Sequence, residues 1–473
     1  MRLILSAVAL FCAYIVGNRM AHPFVDGDLF WQRRLGEFVL SNHAIPTALG
    51  SDVFSAPGAP WVPHEWLLGV LVALAMDHNA LWVLTVIAGL AVFVTLAITA
   101  LRAQRAGAAT TSTLASMLFA GICFESSFAL RAQVLAWPLL AALMLALDTD
   151  GIAVLWAIPI VIAWANVHAS VMLVIPIVWV DAAMFVWQRA RAAGAGAALA
   201  ERAVRLRLIL CVAVPVATLC TPLGLRLPMY AFSLMLSPIR QYITEWQPTT
   251  GLSTQLVAGM LPLLALGVYG AARVWRLRPR DLVLSGIMAI ATLFAARNIS
   301  LFAILAAVVA ALAIEDPKGW HDPLAARRFA IVPWLVLLVA VPLVGYVAYR
   351  AHPMTTPWEA PTDAVPALAA LPGEHDLLCT DFSKCAYALG HDNIKVFLDG
   401  RADPFPPEVW DGFVSVAGMG PGWTETLDHF KVNALLVGKN DPLSAALQGM
   451  PVWREVPQDD ACCDLFVRRS SKS

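Results

Sequence analysis

"EWLLGVLVALAM" (Glu65–Met76) is the stretch on which the topology turns. It is apolar for only about a dozen residues, while a hydrocarbon core of roughly 30 Å needs about 20. The next run, 80–100, is long enough and ends at Arg102 and Arg105. If Glu65–Met76 crossed the bilayer, "LRAQRAG" (Leu101–Gly107) would lie outside and every later loop would flip. Read instead as an interfacial or re-entrant helix, it leaves four basic connections on the cytoplasmic side, with the N-terminus inside. These are "LRAQRAG", the segment with Arg189, Arg191, Arg202, Arg205 and Arg207, "RVWRLRPR" (Arg273–Arg280) and "DPKGWHDPLAARR" (Asp316–Arg328). That is the side on which Lys and Arg collect in helical membrane proteins.

Composition agrees. The chain has 473 residues, 14% of them charged, against roughly 25% in soluble domains, and a mean hydropathy of +0.70. The formal net charge of -1 gives no reason to expect a nucleic-acid partner. No phosphate-cradling glycine loop is present, and "GAGA" at Gly194 reads as linker. The N-terminal "MRLILSAVALFCAYIVGNRMA" reads as an uncleaved first helix over about 3–18, longer than a signal peptide and without a clean cleavage site. Further spans are expected near 111–128, 130–147, 152–166, 168–187, 208–222, 253–272, 282–296, 298–314 and 330–349. The fold class is therefore a polytopic α-helical membrane protein with about 11 transmembrane helices.

Residues 1–350 form the expected transmembrane domain, with a first outer loop over 19–79. Residues 351–473 then fall outside the cytoplasm and change character. "DLLCT", "IKVFLD", "NALLVG" and "DLFV" are short strand-like runs between turn residues, the pattern of a small α/β domain. Cys379, Cys385, Cys462 and Cys463 lie there, where an oxidising compartment permits disulfides, and four cysteines allow three pairings. Cys12, Cys123, Cys211 and Cys220 fall in apolar runs. "EDPKGWHDP", with Glu315, Asp316, His321 and Asp322, reads as a solvated loop.

On this topology the polar residues at membrane depth collect at the outer face. Asp26 and Asp28 follow the first helix in "FVDGDLFW" (Phe24–Trp31), and His64 and Glu65 close the first loop. Arg131 and Gln133 sit in "FALRAQVLAW", Asn166 and His168 in "WANVHAS", Glu245 in "ITEWQP", and Arg297 and Asn298 in "FAARNIS". Polar groups at membrane depth are expensive and face cavities or each other, so the economical reading is one outward-opening polar chamber. Each has a bland alternative: Asp26 as a cap for the helix beginning near Leu29, Asn298 as a cap, a lone Arg snorkelling to the interface. In "LFWQRRLGEFVL" (Leu29–Leu40), Leu29, Phe30, Trp31, Leu35, Phe38 and Val39 lie opposite Gln32, Arg33, Arg34 and Glu37, as in an interfacial helix. The Gly- and Pro-rich link from Ser41 to His64 is expected to be irregular, a lid or wall over the pocket. In the tail, "LDGRADPF" carries Asp399, Arg401 and Asp403 after a strand, read either as a pair fixing the loop or as acceptor contacts.

The pattern "DGDLFWQRRLGEFVL", "PWVPHEWL", "LRAQ", "NVHAS", "TEWQP", "ARNISLF" and "VFLDGRADPF" resembles a set of bacterial membrane proteins over nearly the whole chain. Its architecture resembles the GT-C superfamily of polyprenyl-phosphate-sugar-dependent glycosyltransferases. That resemblance implies sugar transfer from a polyprenyl-phosphate donor to a lipid, glycan or protein acceptor at the extracytoplasmic face of the bacterial inner membrane. Asp28 or Asp26 would be general base, with Glu65 as a further catalytic carboxylate. Arg131 or Arg297 would hold the lipid phosphate. His64, Gln133, Asn166, His168, Glu245 and Asn298 would complete the substrate pocket. A divalent metal at Asp26 and Asp28 is optional in the superfamily, and no metal ligand set is assigned. Two other classes compete: a lipid or glycan transporter or flippase, which needs polar groups at the midplane and access from both faces, and a non-catalytic scaffold presenting the tail.

Overall fold

The computed structural model describes residues 27–125, 128–248, 253, 255–313 and 360–469. In chain order the principal elements are α1 (Asp28–Asn42), α2 (Trp66–Asp77), α3 (Leu81–Arg105), α4 (Thr110–Glu125), α5 (Ala132–Leu147), α6 (Ala157–Ala165), α7 (Val174–Ala193), α8 (Arg202–Ala217), α9 (Leu261–Tyr269), α10 (Pro279–Phe294) and α11 (Ile299–Ala313). A five-stranded sheet follows: β1 (His375–Cys379), β2 (Ile394–Val396), β3 (Ala434–Gly438), β4 (Trp453–Val456) and β5 (Cys463–Arg468). The described chain divides into two compact units: residues 82–231 with 244–313, and residues 27–81 with 232–243 and 360–469.

The first unit is all helix. Every residue of α11 is buried, as expected of a helix apolar on all sides, and α4, α9 and α10 pack around it. Three described helices are long and apolar enough to cross a bilayer: Leu81–Arg105, Ala169–Ala193 and Ala296–Ala313. The pair Leu256–Tyr269 and Ala271–Leu277, bent by 75°, makes a fourth if counted as one broken span. Thr110–Phe124, Ala132–Leu147 and Ile152–Ala165 are shorter apolar helices. The expected spans at 3–18 and 330–349, and the loop from Glu315 to Asp322, lie outside the described residues. "GAGA" is not simply linker, since Ala195–Ala200 forms a short helix. Cys220 lies beyond the end of α8 and is exposed rather than embedded.

The second unit joins the first loop to the tail. Helices α1 and α2 cross where Gly36 meets Gly69: a Cβ on Gly36 would overlap the Gly69 carbonyl oxygen and lie 2.7 Å from Ala73 Cβ. As anticipated, α2 is a short apolar helix. The amphipathic reading of α1 needs correction. Gln32, assigned to the polar side, is fully buried, while Phe38 is 41% exposed. The helix begins at Asp28, with Gly27 as cap residue and no side-chain capping bond.

The sheet order is β2-β1-β3-β5-β4. β1 pairs parallel with β2 (His375 opposite Ile394) and with β3 (Leu377 opposite Ala434), while β5 runs antiparallel to β3 (Ala434 opposite Val467) and to β4 (Val456 opposite Leu465). All four anticipated strand-like runs thus appear as strands in the expected places, and β4 is additional. The link before α2 is less irregular than its Gly and Pro content suggested. Val53 bridges Val396 in parallel, Val396 N donates to Asp52 O at 2.8 Å, and Phe54 N donates to Val396 O at 3.2 Å. That segment covers the β2 edge, an otherwise unpaired row of backbone groups. Trp31, Leu35, Leu49, Val53 and Trp61 share one apolar core with Val396, Phe397, Phe405 and Trp410. Two disulfides form, Cys379–Cys385 and Cys462–Cys463.

Candidate functional site

In the second unit the acidic motif is held by the tail. The Asp28 side chain stands half-buried at the head of α1, and Trp31 Nε1 donates to its Oδ1 at 2.9 Å. Gly400 of the tail faces it: a Cβ there would overlap Asp28 Oδ1 and lie 3.0 Å from Asp28 Cγ and 3.3 Å from Trp31 Nε1. Gly27 is constrained in the same way, since a Cβ on it would overlap the Ser383 carbonyl oxygen. Each glycine of the two Asp-Gly pairs, 26–27 and 399–400, therefore sits where another part of the chain approaches. Asp26 lies outside the described residues.

Arg401 is 6% exposed and Asp399 fully buried. The Arg401 guanidinium bonds both Asp399 oxygens, reaches Asp52 Oδ2 at 3.1 Å, and lies 5.2 Å over the Trp61 ring. Burial works against its charge, and the two carboxylates more than offset that, holding its pKa above the usual value. This pair fixes the loop, and its burial leaves little surface for an acceptor. One helical turn from Asp28, Gln32 Nε2 donates to Glu65 Oε2 at 3.0 Å, and His64 Nε2 is 3.7 Å from Glu65 Oε1.

The remaining candidates lie in the first unit. Arg131 occupies the N-cap position of α5 without making a capping bond, and its Nη1 donates to Glu245 Oε1 at 2.8 Å. Arg297 stacks over Trp246 at 5.1 Å, and Ala296 N donates to Gln247 O at 3.1 Å. Arg131, Glu245 and Arg297 therefore cluster around one short segment. Gln133 is half-buried one residue inside α5. Asn166 Nδ2 donates to Ile162 O at 2.8 Å and Cys220 O at 2.9 Å, and Asn298 Nδ2 to Ala291 O at 3.0 Å. Both amides tie helix ends to neighbouring backbone. His168 is buried, and its Nδ1 accepts from Ser170 N at 3.0 Å.

The densest charge cluster of this unit was not anticipated. It lies at the other end of α5, about 24 Å from Arg131 at 1.5 Å per residue. Asp148 receives Arg102 (2.9 Å), Arg278 (2.8 Å) and Arg280. Asp281 receives Arg102 at 3.0 Å, and Asp181 receives Arg280 at 2.8 Å and Arg207 at 3.2 Å. Arg207 also donates to Leu147 O and Thr149 O and lies 3.5 Å over Phe185. Arg102, expected in a basic loop, is fully buried. A cavity of about 160 Å³ beside the cluster is lined by Asp148, Asp150, Asp181, Arg207, Arg278 and Arg280, with equal numbers of both signs. The signal was Asp181 in "VIPIVWVDAAMF": a carboxylate inside an apolar span demands a buried cation.

As for metals, ligand atoms of Asp460, Cys462 and Cys463 lie within 4.8 Å of one another. Both sulfurs are joined in a disulfide, so they offer no thiolate.

No family model matches this sequence, and no curated relative matches it. Solved structures do. The archaeal oligosaccharyltransferase AglB from Archaeoglobus fulgidus, in complex with an inhibitory peptide and a dolichol-phosphate, superposes with a TM-score of 0.56 at 12% identity, over 92% of this chain and 69% of that one. The same archaeal enzyme in its apo form gives 0.53 at 12% identity over 92% and 69%, and in complex with Zn and sulfate 0.52 at 12% over 92% and 68%. At that identity the likeness is one of fold alone: a mostly helical chain, with three described helices long and apolar enough to cross a bilayer, carrying a small C-terminal sheet.

Proposed function

We propose that this protein is a GT-C-type glycosyltransferase of the bacterial inner membrane, moving a sugar from a polyprenyl-phosphate carrier to an acceptor at the extracytoplasmic face. The observation that carries the reading is Asp28: a half-buried carboxylate held by an indole N–H and a facing glycine, in a chain similar in fold to an oligosaccharyltransferase solved in complex with a dolichol-phosphate. In the proposed step an acceptor hydroxyl gives its proton to Asp28 as its oxygen forms a bond to the anomeric carbon. The bond from that carbon to the phosphate oxygen breaks, and the electron pair leaves with the lipid phosphate. Arg131 and Arg297 are assigned to that phosphate, because guanidinium pairs match its oxygens and neutralise the charge developing there. Arg131 at the start of α5 adds its charge to the positive end of a helix, an arrangement suited to an anion rather than to capping.

His64 and Glu65, whose facing atoms are 3.7 Å apart, are the described residues of this unit suited to assist at a divalent ion. Such an ion would supply electrophilic help at the phosphate. The experiment is transfer of radiolabelled sugar from polyprenyl-phosphate carriers by reconstituted protein, scored on extracted lipids, glycans and proteins. The reading expects label in one acceptor class and none with Asp28→Asn. Equal transfer by both proteins removes it.

A further inference from the structure

Asp28 does not stand alone at the head of α1. A continuous set of contacts runs to it from the edge of the C-terminal sheet. Asp399 directly follows β2 and the Phe397–Leu398 pair, and is fully buried. It fixes Arg401, which also bonds Asp52 on the segment that covers the β2 edge. The guanidinium lies over Trp61. Trp61 meets Trp31 edge to face, with centroids 6.2 Å apart. Trp31 donates its indole proton to Asp28. Gly400, between the two charged residues, is where the Asp28 carboxylate rests, with no room for a methyl group.

From this geometry we infer that the Asp399–Gly400–Arg401 loop is a positioning element for Asp28, so that the C-terminal sheet is a working part of the active site. The inference rests on Asp28 being the base. Two features set it apart from ordinary packing. The Arg401 charge is satisfied within the loop and the adjoining segment, so the loop is stiff without help from Asp28. The nearest atoms that a Cβ at residue 400 would meet are those of the Asp28 carboxylate and its indole donor. A carboxylate displaced by that methyl group would lose the indole bond that aims it.

The test has a geometric arm and a kinetic arm, both on the full-length protein in membranes. Asp28 Cγ is 3.0 Å from the Cβ position at Gly400, within the reach of a disulfide. The double variant Asp28→Cys with Gly400→Cys is expected to cross-link under mild oxidation, read by mass as an α1 peptide joined to a tail peptide. Asp28→Cys with Glu408→Cys is the negative control. No cross-link in the first pair overturns the inference. In the kinetic arm Gly400→Ala is compared with Gly412→Ala, whose Cβ would press on the Phe430 ring at 2.9 Å and disturb only tail packing.

Gly400→Ala is expected to lower kcat at least tenfold with donor KM unchanged. Gly412→Ala is expected to lose thermal stability while each folded molecule keeps its kcat, and Arg401→Lys to lower kcat by an intermediate factor. If Gly400→Ala and Gly412→Ala show the same kcat while Asp28→Asn is inactive, the positioning role fails and the base stands. If Asp28→Asn is fully active, the base fails whatever the cross-link shows.

Discussion

The ionic cluster around Asp148 and the Asp28 site both bury charge, but they bury it differently. Asp148, Asp181 and Asp281 are met by Arg102, Arg207, Arg278 and Arg280, so cations and anions saturate one another. At Asp28 an indole N–H donates to the carboxylate, Gly400 faces it closely, and the side chain keeps partial exposure. Saturated charge holds helices together and offers little to a reactant. A half-buried carboxylate stays open to one. The lesson is that the amount of buried charge does not mark the candidate base; position and access do.

The largest expected effect on folding breaks the saturated side. Arg280→Met leaves three carboxylates short of a cation, and removing one partner of a buried pair costs about 3–5 kcal/mol. Thermal unfolding in detergent should fall sharply, while the surviving folded fraction keeps its turnover per molecule. Smaller is the effect of closing the α1–α2 crossing. Gly36→Ala forces a methyl group into the Gly69 carbonyl, and overpacking of that kind costs about 1–3 kcal/mol. Here turnover should fall with stability, because α1 carries Asp28. Arg131→Gln is a milder change. Its pair with Glu245 is partly exposed on both sides, so stability should scarcely move, while loss of a charge-assisted phosphate contact should raise donor KM roughly tenfold.

The smallest expected effect is a pH dependence. Burial opposes the charge on Asp148, but Arg102, Arg280 and Arg278 hold its carboxyl well below the usual carboxylate range. With the folded value below the unfolded one, its stabilisation is complete above the ordinary carboxylate pKa and is lost as pH falls toward the folded value. The melting temperature of the unaltered protein should therefore decline below about pH 4. That of Asp148→Asn, lower at neutral pH, should decline less.

Much of this was legible in the sequence. The length of Glu65–Met76 against a bilayer, and the short apolar runs "NALLVG" and "DLFV" between turn residues, depend on local pattern alone, and α2, β3 and β5 formed accordingly. Charge partners were not legible, because they are set by tertiary contact. Arg102 looks like a basic loop residue until α10 brings Asp281 against it from 179 residues away. Gln32 looks polar-facing until Glu65 meets it across the helix pair. The approach of residue 400 to residue 28 left only a faint trace, a glycine inside each acidic motif. Glycine marks close approach without saying what approaches.

The most direct measurement is sugar transfer by purified, reconstituted protein with Asp28 intact and with Asp28→Asn, at matched folded fraction. The account predicts a loss of at least about two orders of magnitude in kcat, the contribution of a positioned base, with thermal stability unchanged. Transfer at undiminished rate by Asp28→Asn would contradict it.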